Sequence, residues 1–354
     1  MPLRESGDAG DKMRDDERMH HEQAAADLLR MIDAFKISQA IHVAAVLGVA
    51  DRISAGVCGT DDIADAVGAD RGAMYRLLRA LAAIGVLRED GHRRFLLTPM
   101  GECLCSGADL PVGQHAILMG QPYYWQAWGH LLHSVKTGEN AFRAVHGTSN
   151  WEYREQHPAQ NAIFNAAMTA NSRRVDRAIV HACDFSRYPR IADIGGGQGS
   201  LLSAILTACP GVRGVLFDQP HVIATAAHLL SSAAVADRCE FVGGSFFDGV
   251  PAGCAAYVMK FILHDWDDAD AIRILQGCRR AMPAGATLFV IERLIGPPNE
   301  EPLAKLSDLN MLVVPGGRER TRDEFAALFG AAGLRLVDVV ATAAGVLLFT
   351  GEPA

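Results

Sequence analysis

The chain has 354 residues, of which 49% are hydrophobic and 21% charged, and its formal net charge is −8 at pH 7. This length exceeds the usual size of one hydrophobic core, so we expect two domains or one domain with a large extension. The sequence lacks an apolar run of about 18 residues that would span a bilayer. Its negative charge disfavours nucleic acid as the main partner, because phosphate backbones require a basic protein face.

The N-terminal segment is polar and mixed in charge. Residues 1–22 contain no apolar stretch of the kind found in secretory signals. The sequence therefore predicts a disordered tail over residues 1–22 of a cytoplasmic protein. The eight cysteines lack the paired spacing of a zinc site or a small disulfide framework, so we expect reduced thiols in the core.

A winged-helix domain is predicted over residues 23–108. Apolar side chains recur at helical spacing from residue 23 onward, and TDDIADAVGADRGAMYRLLRALAAIGVLREDGHRRFLLT follows. In that segment Gly68 separates two helices, Asp70 caps the second, and an Asp-Gly pair turns a hairpin. A winged helix suggests DNA binding. Six arginines and six acidic residues make this segment neutral, however, where a DNA-binding surface should be basic.

The pattern changes twice in the remaining chain. Residues 109–182 are rich in large side chains at helical spacing, which predicts a helical linker that contributes to a substrate pocket. Over residues 183–354 helical segments alternate with the apolar runs RIADI, GVLFD, CEFVG, AAYVMK and TLFVIE. This alternation predicts an α/β fold with a doubly wound, Rossmann-like parallel sheet.

A glycine-rich turn, IADIGGGQGS, follows the first of these strands. It lacks the lysine of a nucleoside triphosphate loop, and Ser200 replaces the third glycine of a dinucleotide fingerprint. S-adenosylmethionine carries an ammonium and a sulfonium but no phosphate. Asp193 suits that charge, and Gly195 and Gly197 let the backbone approach the ligand. Asp218 ends the next strand, where an acid can bind a ribose diol.

The motifs ADIGGGQGS, LFDQPHVI, FVGGSFFDGVP, YVMKFILHDWDD, FVIERLI and PGGRERTRDEF occur in this order. With them, the sequence resembles the S-adenosylmethionine-dependent O-methyltransferases of the plant caffeic acid and hydroxyindole type, which have bacterial relatives in antibiotic biosynthesis. The resemblance covers roughly residues 25–352. It implies that the winged-helix domain dimerises the protein rather than binding DNA.

The resemblance also assigns roles to residues of this chain. It implies a general base at His264 and two carboxylates, Glu292 and Glu319, that bracket it. It adds Lys260, Ser245 and Phe246 to the cofactor contacts. On the acceptor side it implies Phe164, Met168, Asn171 and Asn310, a set suited to a flat aromatic ring. It implies no metal and no membrane partner.

The expected reaction is methyl transfer to a hydroxyl of a small phenolic or polyketide-type acceptor. A phenol of pKa about 10 facing a histidine of pKa about 6.5 makes proton transfer uphill by roughly 5 kcal/mol in water. A carboxylate bonded to the imidazole would narrow that difference.

Ser245 stands where relatives usually carry an aspartate, which weakens the expected contact with adenosine. The same fold with hydroxylation or decarboxylation chemistry therefore stays open as an alternative. The winged helix keeps a second alternative open, which is a ligand-sensing, DNA-binding regulator.

Overall fold

The computed structural model describes residues 6–232 and 235–354. The chain divides into two compact units, Met1–Ala108 and Asp109–Ala354. Residues 109–182 therefore lie in the same unit as the predicted methyltransferase sheet. Within the described residues, no helix is both long enough and apolar enough to cross a membrane.

The first unit is mostly helical and ends in a small hairpin. Its elements are α1 (Ser6–Val46), α2 (Val49–Ser54), α3 (Thr60–Val67), α4 (Arg71–Ala83), β1 (Leu87–Glu89), β2 (Phe95–Leu97) and α5 (Pro99–Glu102). The Asp70 side chain accepts a hydrogen bond from the Ala73 amide and so caps α4. Strands β1 and β2 pair antiparallel across the turn at Gly91. The result is the predicted order of helix, turn, helix and wing.

Helix α1 begins at Ser6, which differs from the disordered tail predicted for residues 1–22. Residues 1–5 of that tail lie outside the described residues. The prediction relied on the missing apolar face, but a solvated helix can form without one when charges recur at helical spacing. Arg18 and Glu22 show this spacing, with their Nε and Oε1 atoms 4.0 Å apart.

The second unit contains the remaining elements. Its helices are α6 (Gly113–Met119), α7 (Pro122–Gly129), α8 (Leu131–Thr137), α9 (Ala141–His146), α10 (Asn150–Gln156), α11 (Pro158–Ala182), α12 (Ser200–Ala208), α13 (Pro220–Ser232), α14 (Asp268–Ala281), α15 (Pro302–Val313) and α16 (Arg322–Ala331). Its strands are β3 (Arg190–Ile194), β4 (Arg213–Asp218), β5 (Cys239–Gly243), β6 (Ala256–Lys260), β7 (Thr287–Glu292), β8 (Leu334–Ala341) and β9 (Leu347–Pro353).

Over the described residues these seven strands form one sheet in the order β5-β4-β3-β6-β7-β9-β8. The first five strands of this order, β5, β4, β3, β6 and β7, run parallel. Strand β9 is antiparallel to both β7 and β8. The strand order reverses between β3 and β6. In doubly wound sheets ligands bind at such a reversal, beyond the carboxyl ends of the strands.

The sheet is buried on both faces. Along β3, Ala192 and Ile194 join one apolar cluster, while Ile191 joins the other. Side chains of a strand alternate between the two faces, so a strand covered on both sides reads as a nearly continuous apolar run. This explains why the strands of the second unit were recognisable in the sequence, and it confirms the predicted fold class.

Candidate active site

The glycine-rich turn after β3 brings bare backbone to the strand reversal. Gly195 and Gly197 have φ values of 68° and 57°, which side chains other than glycine rarely adopt. A Cβ atom at Gly195 would also lie 2.5 Å from Cδ1 of Ile262. A larger residue would therefore strain the backbone and fill the space at the ends of β3 and β6.

Asp193 supplies a buried carboxylate at this turn. The residue is only 2% exposed, and its Oδ2 atom has no hydrogen-bond partner in the described part of the chain. Burial raises the pKa of Asp193 to about 7, although the charge of Lys260 acts in the opposite direction. Such a carboxylate favours a cationic ligand, because the ligand's charge would offset the cost of burial.

Asp218 holds the same turn from the end of β4. Its Oδ2 accepts a hydrogen bond from the Gly197 amide at 2.8 Å, and its Oδ1 accepts one from the Gln219 amide at 2.7 Å. Burial raises the pKa of this carboxyl as well. Each carboxylate oxygen can accept more than one hydrogen bond, so the predicted ribose contact is compatible with these bonds.

Lys260, at the end of β6, forms an ion pair with Asp176 of α11 and donates to the Ser172 hydroxyl at 3.0 Å. Ser200 donates to the same Asp176 carboxylate. The sequence analysis missed Asp176 and Ser172. The sequence shows that the two residues lie four positions apart, but their partner Lys260 lies 84 residues away from Asp176. The cofactor contact of Lys260 stays a prediction.

The two remaining predicted cofactor residues follow β5. The Ser245 hydroxyl accepts a hydrogen bond from the Phe247 amide at 3.3 Å. The Phe246 ring makes edge contacts with the rings of Phe247 and Trp266, at centroid distances of 5.0 and 5.7 Å. Phe246 also reaches the turn, where its Cε1 atom lies 3.9 Å from a Cβ built on Gly195.

The structure brings the predicted base and its two carboxylates together. His264 lies in a short turn after β6 and is 7% exposed. Its Nδ1 atom lies 3.2 Å from Oε1 of Glu319 and 3.4 Å from Oε2 of Glu292. Its Nε2 atom lies 3.7 Å from Oδ1 of Asp265. Nδ1 of the imidazole therefore faces the two glutamates, whereas Nε2 faces Asp265.

Backbone and side-chain contacts fix both carboxylates. Oε1 of Glu292 accepts hydrogen bonds from the amides of Ile262 and Leu263 at 3.1 and 2.9 Å. Oε1 of Glu319 accepts one from the Ser307 hydroxyl at 2.7 Å. The Glu292 contacts attach the turn that carries His264 to the neighbouring strand β7, and the Ser307 contact attaches Glu319 to α15.

The charges around His264 change its proton affinity. Burial alone would lower the pKa of His264, but the carboxylates of Glu292, Asp265 and Glu319 outweigh burial and raise it to about 10. Burial raises the pKa of Glu292 to about 7 and that of Asp265 to about 6. For Glu319, the hydrogen bond and charge of His264 outweigh burial and lower the pKa.

A buried arginine, also absent from the sequence analysis, holds the turn in place. Arg320 is fully buried and donates to the carbonyl oxygens of Leu263 and Trp266, each at 2.8 Å. It is paired with Asp268 at 2.8 Å. It fixes the backbone on both sides of His264 without contacting the imidazole.

The predicted acceptor residues lie on two helices. Phe164, Met168 and Asn171 lie on α11 at a spacing that places them on one face of the helix. Nδ2 of Asn171 lies 2.9 Å from Nδ1 of His115. Asn310, on α15, accepts a hydrogen bond from Trp128 at 3.2 Å. Whether these residues contact an acceptor stays a prediction.

The cluster of His264, Glu292 and Glu319 also has the geometry of a cation site. One ligand atom each of His264, Glu292 and Glu319 lies within 4.8 Å of the others. The hydrogen bonds described above already use the imidazole Nδ1 and one oxygen of each glutamate. The sequence analysis expected no metal, and that expectation stays a prediction.

Comparisons with known proteins identify related chains. Residues 128–335 match the model of an O-methyltransferase domain, and residues 29–107 match that of an O-methyltransferase dimerisation domain. The phenazine O-methyltransferase PhzM of Lysobacter antibioticus is 43% identical over 92% of this chain and 95% of its own length. The 8-amino-8-demethylriboflavin N,N-dimethyltransferase of Streptomyces davaonensis is 37% identical over 92% of this chain and 95% of its own.

A solved structure is similar in both sequence and fold. It is the O-methyltransferase NcsB1 from neocarzinostatin biosynthesis, in complex with S-adenosylmethionine and 2-hydroxy-5-methyl naphthoic acid. Its TM-score against this chain is 0.77 at 33% identity, and the match covers 90% of this chain and 96% of that one.

Proposed function

This chain belongs to the O-methyltransferase family, and on that premise we propose that it transfers the methyl group of S-adenosyl-L-methionine to a hydroxyl of a small aromatic acceptor. His264 would act as the general base. The proposal rests on one observation above all, which is the imidazole held among three carboxylates that raise its pKa to about 10.

The residues at the strand reversal fit the cofactor. The unpartnered Oδ2 atom of Asp193 suits an ammonium group, and the turn at Gly195 and Gly197 lets the ligand approach the backbone. Asp218 would hold the ribose, and Phe246 the adenine. The structure of the neighbour NcsB1, solved with S-adenosylmethionine, supports S-adenosylmethionine as the cofactor. When bound, the cofactor supplies a methyl group on a positively charged sulfur.

In its neutral form, His264 would accept the phenolic proton. A phenol of pKa about 10 loses its proton with little free-energy cost to an imidazole of similar proton affinity. The acceptor oxygen would attack the methyl carbon while the carbon–sulfur bond breaks, and the proton would stay on Nε2. Glu292 and Glu319 act through the imidazole as positioning residues, since their oxygens lie at Nδ1.

The base favours a hydroxyl over an amine as the acceptor group. A neutral aromatic amine already carries a free lone pair and can lose its proton after methyl transfer, whereas a neutral phenol is a poor nucleophile before deprotonation. The family includes enzymes named for either atom, such as the N,N-dimethyltransferase described above. The buried imidazole–carboxylate cluster is the feature of this chain that supports oxygen.

The active protein is proposed to be a homodimer formed through the first unit. Helix α1 exposes several large apolar side chains, including Leu29 at 62%, Ile32 at 59% and Phe35 at 50%. Exposed apolar surface of this extent on one helix indicates a protein contact. The match of residues 29–107 to a dimerisation domain supports a second copy of the chain as the partner.

A matched pair of acceptors tests the function directly. Purified protein would be incubated with methyl-labelled S-adenosylmethionine and either 1-naphthol or 1-naphthylamine, and the products identified by mass spectrometry. We expect a labelled methyl ether from the naphthol and little product from the amine. Consumption of the naphthol without label would indicate the same fold with other chemistry. Methylation of the amine alone would refute the role of the base.

A further inference from the structure

Arg154, on α10, is a buried cation that the proposed mechanism does not use. The residue is only 6% exposed. Its guanidinium carbon lies 3.6 Å from the ring centroid of Phe164 and 4.5 Å from that of Trp151. The two rings therefore cover the guanidinium and separate much of it from water.

The charge of Arg154 is not paired within the described part of the chain. Its Nε atom donates to the Asn150 carbonyl at 3.0 Å, and no carboxylate oxygen there lies within 4.0 Å of its nitrogens. Two other cations differ in this respect, since the partly buried Lys260 is paired with Asp176 and the buried Arg320 with Asp268. Burying an unpaired charge is costly, so such a residue is retained where an anion compensates it.

The surroundings of Arg154 contain further donors without partners. Trp151 Nε1 and the Tyr123 hydroxyl are buried and have no hydrogen-bond partner among the described residues. Burial raises the pKa of Tyr123 to about 12, with the charge of Arg154 acting in the opposite direction, so the two groups are close enough to interact. One buried acceptor, Oδ1 of Asn150, is also unpartnered. Two of these three unpartnered groups can thus donate a hydrogen bond.

This region lies beside the proposed base. The Trp151 ring stacks on Trp266 at a centroid distance of 6.1 Å and an angle of 12°. Trp266 follows His264 and Asp265 directly in the chain, and the charge of Arg154 acts on the Asp265 carboxyl. Phe164, which covers the guanidinium, is one of the predicted acceptor residues.

We propose that Arg154 binds a carboxylate carried by the aromatic ring of the acceptor, so that the preferred acceptors are hydroxylated aromatic acids. This inference rests on the proposed function. A guanidinium that lies over an aromatic ring presents its N–H groups at its edge, and a planar carboxylate accepts them in pairs. Such a contact orients a flat acceptor and directs its hydroxyl toward Nε2 of His264.

Two matched acceptor pairs test this inference by binding alone. The probes are 6-hydroxy-2-naphthoate with its methyl ester, and 4-hydroxybenzoate with its methyl ester, titrated calorimetrically into protein saturated with S-adenosylhomocysteine. In at least one pair we expect the acid to bind at least about tenfold more tightly than the ester, as a charge-assisted contact provides. Equal binding of acid and ester in both pairs, or binding of none of the four, would overturn the proposal.

Three variants assign the preference to one side chain. Arg154→Met should reduce the acid-to-ester ratio to about one by weakening acid binding alone. Arg154→Lys keeps the charge without the paired donors and should retain part of the ratio. Arg143→Met, at an exposed arginine of α9, should match the unmodified protein. An unchanged ratio in Arg154→Met, or an equal loss of both ligands, would contradict the proposal. If Arg154→Met fails to fold, the lysine variant decides.

Methyl transfer to the same probes separates this inference from the proposed function. Methylation of an ester without any preference for its acid would refute the role of Arg154 and leave the function standing. Arg154-dependent binding of an acid without methylation of any probe would refute the function and leave the carboxylate subsite standing.

Discussion

Replacing Glu292 by glutamine should lower the proton affinity of His264 and shift the pH dependence of methyl transfer. The pKa of His264 is raised from an ordinary 6.5 to about 10, a difference worth about 5 kcal/mol at about 1.4 kcal/mol per pH unit. The charge of Glu292 is the largest single cause that raises this pKa. The Glu292→Gln variant keeps an oxygen that can accept from the Ile262 and Leu263 amides, so the turn can retain its backbone contacts.

The assay is kcat/KM for 1-naphthol between pH 6 and pH 10. The reactive complex carries one proton between the imidazole and the phenol, and both groups titrate near pH 10. In the unmodified enzyme we expect kcat/KM to rise roughly tenfold per pH unit from pH 7 until it nears the pKa of the cluster. A histidine of pKa 6.5 would instead give a plateau over the same range.

For Glu292→Gln we expect the rising limb to move to lower pH by at least about one unit, since one opposite charge at this distance changes a pKa by about 1–3 units. The maximal rate should fall, because a weaker base drives proton transfer less well. Glu319→Gln provides the matched comparison and should shift the limb in the same direction. A lower rate with an unmoved limb would show that Glu292 is only structural and would refute the electrostatic reasoning.

Three further predictions concern the cofactor turn, the dimer and metal. Asp193→Asn should weaken S-adenosylhomocysteine binding at least about tenfold while leaving the ligand-free melting temperature unchanged or higher, because it removes a buried charge whose Oδ2 atom has no hydrogen-bond partner among the described residues. A lower melting temperature with intact binding would contradict this. Leu29→Glu combined with Ile32→Glu should give monomers by light scattering. Leu303→Glu, on the second unit and 80% exposed, should leave the dimer intact. If the double variant and the Leu303→Glu variant both stay dimeric, the dimer contact does not involve this face of α1. Dialysis against EDTA should leave methyl transfer unchanged, and a loss restored by a divalent cation would make the His264 cluster a metal site.

Local patterns made the sheet and the cofactor turn predictable from sequence. Strands buried on both faces appear as short apolar runs, and the positive φ values at Gly195 and Gly197 require glycine. The chain order of strands and helices then places the ends of β3 and β6 side by side. The prediction of His264 and its two glutamates depended on the family resemblance, because these residues are distant in sequence and meet only in the folded chain.

Residues whose roles depend on distant contacts were not predictable. Asp176 and Arg154 lie on helices with no local signal that distinguishes a buried charge from a solvated one. Burial of Asp176 depends on Lys260, which reaches it from another element. The disordered tail was predicted from a polar segment of mixed charge, but α1 begins at Ser6, so this composition did not exclude a helix.

Methyl transfer by His264→Ala tests the central claim most directly. Calorimetry would first establish that the variant binds S-adenosylhomocysteine as the unmodified protein does. Single-turnover transfer to 1-naphthol would then be followed with protein preloaded with labelled S-adenosylmethionine. We predict unchanged cofactor affinity and a rate lower by a factor of about 10² to 10⁴, the usual contribution of a general base. An unchanged rate of transfer would contradict the account.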